Sequence, residues 1–297
     1  MSFQAFLDGV GEEARRSGVS SETLRRAFSI IRPNEKVLEL DRRQPEFTLT
    51  WEQYRDGRLS AQRIDRGRQL FTEHQALLNA IWQRYLVSPR IIMAIWGLET
   101  NYGGFTGNFN VVEALATLAW DGRRSAFFRK ELLAALRILE QHDTSAERMR
   151  GSYAGAMGNP QFMPTSFERL AVDFDGDGRR DIWDSVPDSL ASIANYLARN
   201  GWREDERWGR EVLVPGSFDP ALAGRSTRKP LQDWLRLGVR AADGTDLPPL
   251  PMEASVLLPG GAGGQAFLVY QNFHAIRRYN PSDYYALVIG LLSDRVA

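Results

Sequence analysis

Apolar residues recur every three or four positions over most of the chain, the spacing of helices that bury one face. Residues 2–30 read as two short amphipathic helices parted near Gly18. Ser20 or Ser21 caps the second, which carries Leu24, Ala27 and Phe28 on one face. Residues 32–60 are mixed and turn-rich. There Gln44-Pro45-Glu46-Phe47 and Trp51-Glu52-Gln53-Tyr54 set aromatics into a polar connection, as core edges or as the lining of a groove. A helix is expected from Ser60 to about Leu86, with Ile64, Leu70, Leu77, Leu78 and Ile81 facing in. Ser88 then caps a helix with Pro89 at its first position. Ile91, Ile92, Ile95, Leu98 and Tyr102 continue it at helical spacing until Gly103-Gly104 stops it. VVEALATLAW makes a further helix after Gly107-Asn108-Phe109-Asn110, and Arg123–Gln141 another, with Phe127, Leu132, Leu136 and Leu139 as core. Ser189–Asn200 is helical through Leu190, Ile193, Ala194 and Leu197. Over 205–270 the pattern changes: apolar runs at Val212–Val214, Ala254–Leu258 and Ala266–Tyr270 alternate with Pro and Gly turns, as in a small β-rich insertion. The last stretch returns to helix, started by Asn280-Pro281-Ser282 and packed through Tyr285, Leu287, Val288 and Leu291.

Composition narrows the class. A chain of 297 residues makes one large domain or two ordinary ones. With 43% hydrophobic and 25% charged residues it is an ordinary globular sequence. Lys+Arg and Asp+Glu both number 37, and this zero net charge argues against a nucleic-acid binder driven by bulk electrostatics. The absence of cysteine excludes disulfides, thiol catalysis, zinc–cysteine sites and a lipid-modified cysteine in this chain. His74, His142 and His274 show no metal spacing, and no Ser/His/Asp arrangement or phosphate loop stands out. No apolar run approaches the roughly 20 residues of a membrane helix. The opening residues lack a secretion signal, so the chain reads as cytoplasmic or as a mature segment with a new Met.

Three stretches carry candidate chemistry. Glu99 interrupts the apolar face of the 88–104 helix, between the directions of Ile92 and Ile95 at about 100° per residue. Burial and a place in the last turn both disfavour the carboxylate ion, which suits a general acid. A structural glutamate, paired with an arginine or capping a neighbouring helix, fits the same position. Gly151–Pro164, GSYAGAMGNPQFMP, is small-residue-rich with polar Ser152 and Gln161: a helix-packing loop or the wall of a site. Asp173–Asp184, DFDGDGRRDIWD, follows the calcium-loop pattern D-x-D-x-D-G. Asp173, Asp175 and Asp177 supply side-chain oxygens, Gly178 the sharp turn and Arg179 its backbone carbonyl. The usual terminal Glu is missing; Asp184 holds its position on a shorter side chain, and Asp188 is the other candidate. Such a loop staples two helices, which makes the cation structural.

The motifs WGLETNYG, SYAGAMGNPQFMPTSF, DFDGDGRRDIWDSVPDSLASIANYL and RRYNPSDYYA resemble those of bacterial lytic murein transglycosylases of the B type, over nearly the whole chain. The resemblance implies an α+β, mainly α fold: a lysozyme-like catalytic core with an N-terminal helical region and a small β-rich insertion. The implied division is a helical domain over 1–85, the core with its calcium loop over 86–204, a β-rich domain over 205–270, and a C-terminal helix over 271–297 that returns to the core. The implied activity is cleavage of the MurNAc–GlcNAc β-1,4 bond of peptidoglycan, leaving a 1,6-anhydromuramoyl end without water. The family's single catalytic glutamate falls on Glu99, and its serine and glutamine beside the cleavage site on Ser152 and Gln161. Its substrate-lining residues fall on Tyr54, Tyr196, Tyr279, Asn280 and Tyr285, with Tyr153 standing where a relative has Phe. Its EF-hand-type metal loop falls on Asp173, Asp175, Asp177 and Arg179, closed by Asp188 in preference to Asp184 because Pro187 lengthens the loop end. The implied cofactor is structural Ca2+, with no organic cofactor. The implied partners are peptidoglycan glycan strands and other cell-wall enzymes, with no nucleic acid. The implied place is the periplasm, as a monomer, with no signal or lipid anchor in this chain. Ordinary glycosidases flank the bond with two carboxylates. Here no second one stands out, and the family does without one; the resemblance implies that Glu99 acts first as acid and then as base, with the substrate's acetamido group assisting. Two other readings stay open: a lysozyme-like hydrolase, separated by its product's reducing end, and a non-catalytic peptidoglycan-binding protein, separated by turnover.

Overall fold

The computed structural model describes residues 1–43 and 49–297. Gln44 to Thr48, with the aromatic expected at Phe47, lie outside the described residues. The chain divides into two compact units, one of residues 1–47 and 95–195, the other of 48–94 and 196–297. The architecture is α+β and mainly α, as expected.

The first unit is helical. It opens with α1 (Phe3–Arg16) and α2 (Ser21–Ser29), capped by Ser2 and Ser20. The stretch expected to be turn-rich contains α3 (Glu35–Arg42), because the Asn34 side chain accepts the Val37 N–H and starts a helix. The core is made by α8 (Val111–Asp121) and α9 (Ser125–Glu140), joined through Gly122 and Arg124 in left-handed conformations. The phase of α9 corrects one expectation. Phe128 is buried at 1% exposure while Phe127 is 47% exposed. Leu132, Leu136 and Leu139 do pack inward. Buried Glu131 reaches from α9 to α10 (Pro164–Leu170) and accepts the Thr165 N–H at 2.9 Å and its hydroxyl at 2.7 Å. It thereby caps a helix whose own N-cap, Met163, cannot. The helix α11 (Val186–Arg199) starts three residues earlier than expected and buries Leu190, Ile193, Ala194 and Leu197. A short pair, β1 (Phe109–Asn110) and β2 (Arg150–Gly151), runs antiparallel.

The second unit combines helices with a five-stranded antiparallel sheet. Its α4 (Trp51–Arg58) also falls in the stretch expected to be turn-rich, started by a capping box of Thr50 and Gln53. The single helix expected over 60–86 is two, α5 (Ala61–Glu73) and α6 (Gln75–Tyr85). His74 leaves helical geometry (φ −99°, ψ 17°), its N–H closing α5 on Leu70 and its carbonyl opening α6 to Leu78. The apolar period runs through this break without a Gly or Pro to mark it. The sheet takes the order β4 (Lys229–Pro230), β6 (Glu253–Leu257), β7 (Ala266–Val269), β3 (Gly209–Leu213), β5 (Arg240–Ala241). Val212, Val256 and Leu268 join Trp234 of α12 (Leu231–Arg236) in its core. The chain ends in two helices, α13 (Gln271–Tyr279) and α14 (Asp283–Ser293), the second capped by Ser282. Among the described residues no helix is long and apolar enough to cross a membrane.

Candidate active site and metal loop

Glu99 lies half-buried in the last turn of α7 (Pro89–Thr100). The helix ends at Thr100, earlier than the expected stop at Gly103-Gly104. Asn101 (φ 49°), Tyr102 (φ 58°) and Gly103 (φ 81°) turn the chain through the left-handed region. Tyr102 is therefore buried but not on the helix. Its N–H reaches back 3.2 Å to the Trp96 carbonyl, and its ring meets Trp96 edge-on at 5.7 Å. The Tyr102 ring occupies the space over Gly97, where a Cβ would come within 2.5 Å of it. Glycine mid-helix costs about 1 kcal/mol against alanine; here it makes room for that ring.

Asn159 ties this helix end to the loop beyond. It accepts the Trp96 indole N–H at 2.8 Å and donates to the carbonyls of Ile182 (3.2 Å) and Trp183 (3.1 Å). The Thr100 hydroxyl donates to the Asn159 carbonyl at 3.2 Å and accepts the Gly103 N–H at 3.0 Å. Asn159 is 5% exposed and Thr100 2%. Neither was singled out from the sequence; a lone Asn between Gly158 and Pro160 in an apolar stretch was the only signal.

The 151–164 stretch packs backbone on backbone. A Cβ on Gly107 would meet the Gly151 carbonyl at 2.1 Å, and one on Gly151 the Ala156 carbonyl at 2.1 Å. The Ser152 hydroxyl oxygen accepts the N–H groups of Ala154 (3.3 Å) and Ala156 (3.0 Å). Gln161 has φ 54° and donates from Nε2 to the Thr106 and Gly158 carbonyls, at 3.0 and 2.9 Å. Ser152, Tyr153 and Gln161 are half-buried. Glu99 and these three belong to the first unit.

The remaining candidates for substrate contact belong to the second unit, while the metal-loop candidates over 173–188 lie in the first. Tyr196 and Tyr279 pair at 4.7 Å between ring centroids, and the Tyr196 hydroxyl donates to the Arg278 carbonyl at 2.5 Å. Asn280 ends α13, and Tyr285, 4% exposed, lies in the first turn of α14. Tyr54 is buried beneath Arg58, whose guanidinium lies 3.6 Å over its ring, and packs on Tyr284 at 5.5 Å.

Asp173, Asp175, Asp177 and Asp188 each bring a carboxylate oxygen within 4.8 Å of the others. Asp188, wholly buried at the start of α11, accepts N–H bonds from Phe174 (2.7 Å), Asp175 (3.3 Å) and Asp181 (2.9 Å). Burial pushes its carboxyl above the ordinary range, against the pull of those bonds. Asp184 is exposed and paired with Arg148. Gly176 and Gly178 turn the loop at φ 80° and 90°. Four convergent oxygen donors, one on a wholly buried carboxylate bonded to backbone N–H, fit a hard divalent cation.

The family model described as "Transglycosylase SLT domain" matches residues 2–294. The membrane-bound lytic murein transglycosylase B of Escherichia coli K12 is 32% identical over 307 residues, covering 99% of this chain and 82% of that protein. The crystal structure of SltB3 from Pseudomonas aeruginosa in complex with NAG-anhNAM-pentapeptide is similar with a TM-score of 0.97 and 46% identity, over all of this chain and 80% of that one. The Escherichia coli lytic transglycosylase Slt35 in complex with calcium is similar at a TM-score of 0.84 and 30% identity, over 99% of this chain and 92% of that one.

Proposed function

The chain belongs to the SLT-domain transglycosylases, and on that premise we propose that it cleaves the MurNAc–GlcNAc β-1,4 bond of peptidoglycan and leaves a 1,6-anhydromuramoyl end. It is an enzyme, a lytic transglycosylase acting on peptidoglycan. The observation that carries the finer reading is Glu99, a half-buried carboxyl group in the last turn of a helix whose end Trp96, Thr100 and Asn159 hold in one place. Glu99 gives its proton to the glycosidic oxygen as the C1–O bond breaks. The substrate's 2-acetamido oxygen stabilises the electron-poor C1 from the opposite face, the role a second carboxylate plays in ordinary glycosidases. The Glu99 carboxylate then takes the proton of the C6 hydroxyl, and O6 bonds to C1. Partial burial of Glu99 keeps competing water away from that step.

We assign Ser152, Tyr153 and Gln161 to the sugar rings beside the bond, and Tyr54, Tyr196, Tyr279, Asn280 and Tyr285 to the rest of the strand. Asp173, Asp175, Asp177, the Arg179 carbonyl and Asp188 would hold Ca2+ in an EF-hand-type loop. When bound, the cation supplies charge balance to the carboxylates and a staple between the loop and α11. The place of action is the periplasm, and the working state a monomer.

The test is digestion of purified peptidoglycan in heavy-oxygen water followed by weighing of the muropeptides. The reading requires anhydro ends without solvent oxygen. Heavy oxygen at a free muramoyl reducing end, as main product, makes the protein a hydrolase instead. Glu99→Gln, with fold and binding kept, should lower turnover by about 10⁴-fold or more, since both proton transfers are lost.

A further inference from the structure

Asn159 stands in a tight turn between the metal loop and the end of the Glu99 helix. Met157 and Phe162 exchange backbone hydrogen bonds at 2.8 and 3.1 Å, and the Gln161 N–H closes the turn on the Gly158 carbonyl at 3.2 Å. On one side the Ile182 carbonyl accepts the Asn159 N–H at 2.9 Å and its side-chain amide at 3.2 Å, while the Trp183 carbonyl accepts that amide at 3.1 Å. On the other side Asn159 accepts the Trp96 indole N–H at 2.8 Å and the Thr100 hydroxyl at 3.2 Å. All of these residues belong to the first unit.

Ile182 and Trp183 are fixed in turn by the carboxylates of the loop. Asp188 accepts the Asp181 N–H at 2.9 Å, and the Asp181 side chain accepts the N–H groups of Trp183 and Asp184 at 3.0 Å each. Ser189, beside Asp188, donates its hydroxyl to the Ile182 carbonyl at 3.0 Å. A run of hydrogen bonds therefore leads from Asp188 through 181–183 and Asn159 to Trp96 and Thr100, the residues that bracket Glu99 in α7. The packing along it leaves no slack. A Cβ on Gly158 would stand 2.6 Å from the Ile182 carbonyl oxygen, and one on Gly103 2.6 Å from the Asn159 side-chain oxygen.

Surfaces packed this closely re-seat as a whole rather than deform by degrees. Asp173, Asp175, Asp177 and Asp188 repel one another without a cation, and their separation would carry 181–183 with it. A cation that binds the drawn-together loop therefore also favours the seated turn. We propose that Asn159 is a positioning residue that couples calcium in the 173–188 loop to the end of the Glu99 helix. Calcium then does more than staple its loop: it sets the seat of Trp96 and Thr100, and with them the steadiness of the group that moves the proton. The coupling is reciprocal, so a loosened turn weakens calcium binding by the factor by which calcium tightens the turn. The coupling rests on the reading of this loop as a calcium site.

The test titrates chelator-stripped protein with calcium, reading binding by calorimetry and the Trp96 indole N–H by NMR, that signal being identified by its loss in Trp96→Phe. The Trp96 signal should move, and turnover of peptidoglycan rise, over the calcium range in which binding occurs. Asn159→Ala should raise the calcium Kd about fivefold or more. Trp96→Phe, which keeps the Asn159 bonds to 182 and 183, should raise it as well. An Asn159 that only stabilises the fold would lower the melting temperature and leave the calcium Kd of the folded protein alone. Calcium binding with an unmoved Trp96 signal, with unchanged turnover, or with the same Kd in Asn159→Ala overturns the coupling and leaves the calcium site standing. Protein that binds no calcium removes both. Should Asn159→Ala fail to fold, the Trp96 signal and the Trp96→Phe Kd decide.

Discussion

Asn159→Ala tests whether the end of the Glu99 helix is fixed by buried hydrogen bonds. The substitution removes three side-chain bonds, but they are not equivalent. The Ile182 carbonyl also accepts the Asn159 N–H at 2.9 Å and the Ser189 hydroxyl at 3.0 Å, so it stays satisfied. The Trp96 indole N–H, on a side chain of a residue 3% exposed, loses its bond to the Asn159 oxygen, and the Trp183 carbonyl loses the Asn159 amide. Two lost bonds in a buried setting at about 0.5–1.5 kcal/mol each give a loss of roughly 1–3 kcal/mol. Asn159→Asp should do no better: it keeps an oxygen for Trp96 but removes both donors and buries a charge. Denaturant unfolding followed by tryptophan fluorescence measures the loss by linear extrapolation. Turnover should fall more than that loss of folded protein explains, because displacement of a catalytic group by about 1 Å costs on the order of 10²-fold. A loss below about 0.5 kcal/mol, the size of an ordinary surface change, would refute the reasoning.

Chelation should lower the melting temperature and calcium restore it better than magnesium, which demands a tighter octahedron; at a hundredfold excess over Kd the stabilisation is about 2.7 kcal/mol. Asp177→Ala, at an exposed position, should abolish that response, and a melting curve indifferent to chelator in metal-free protein would reject the site. His274 is half-buried, and burial, then Arg228, Arg277 and Arg225, lower its pKa to about 4, against Asp283. The unfolded chain therefore binds the proton more readily, so stability falls as pH drops from about 6.5 toward about 4. His274→Gln should flatten denaturation midpoints across that window, and an unchanged pH profile would show that His274 does not set it.

Much of the fold is legible because apolar periodicity and caps are local. Ser20, Pro89 and Ser282 mark helix starts, and all three runs assigned to the β-rich insertion became strands β3, β6 and β7. What was misread depends on partners distant in sequence or on geometry without a composition signal. Phe127 and Phe128 are adjacent aromatics, and only the packing of α9 on α8 decides which one is buried. His74 breaks a helix without Gly or Pro. At the candidate site, the helix position of Glu99 and the acidic cluster of Asp173, Asp175 and Asp177 follow from spacing. Asn159 does not, because its value lies in bonds to residues 23 to 63 positions away.

Tyr102 shows how that distant packing overrides a local rule. Continuing α7 through residue 102 would satisfy the apolar period and spare Asn101 and Tyr102 their left-handed backbones. Sparsely populated φ/ψ costs of order 1–3 kcal/mol per residue, least for Asn. Against that stands the burial of a tyrosine ring to 7% exposure, worth about 1.5–3 kcal/mol, with its edge on Trp96 adding about 0.5–1.5 kcal/mol. The terms are close enough that neither alone decides the conformation. Gly97 tips the balance, since any Cβ there would close the space the ring needs. Gly103 works in the same direction: a Cβ on it would stand 2.6 Å from the Asn159 side-chain oxygen that receives the Trp96 indole. The strained turn, the two glycines and Asn159 form one coupled unit around the last turn of α7. The rigidity that results is what a single carboxyl group needs if it is to give a proton and take one back on the same substrate without moving.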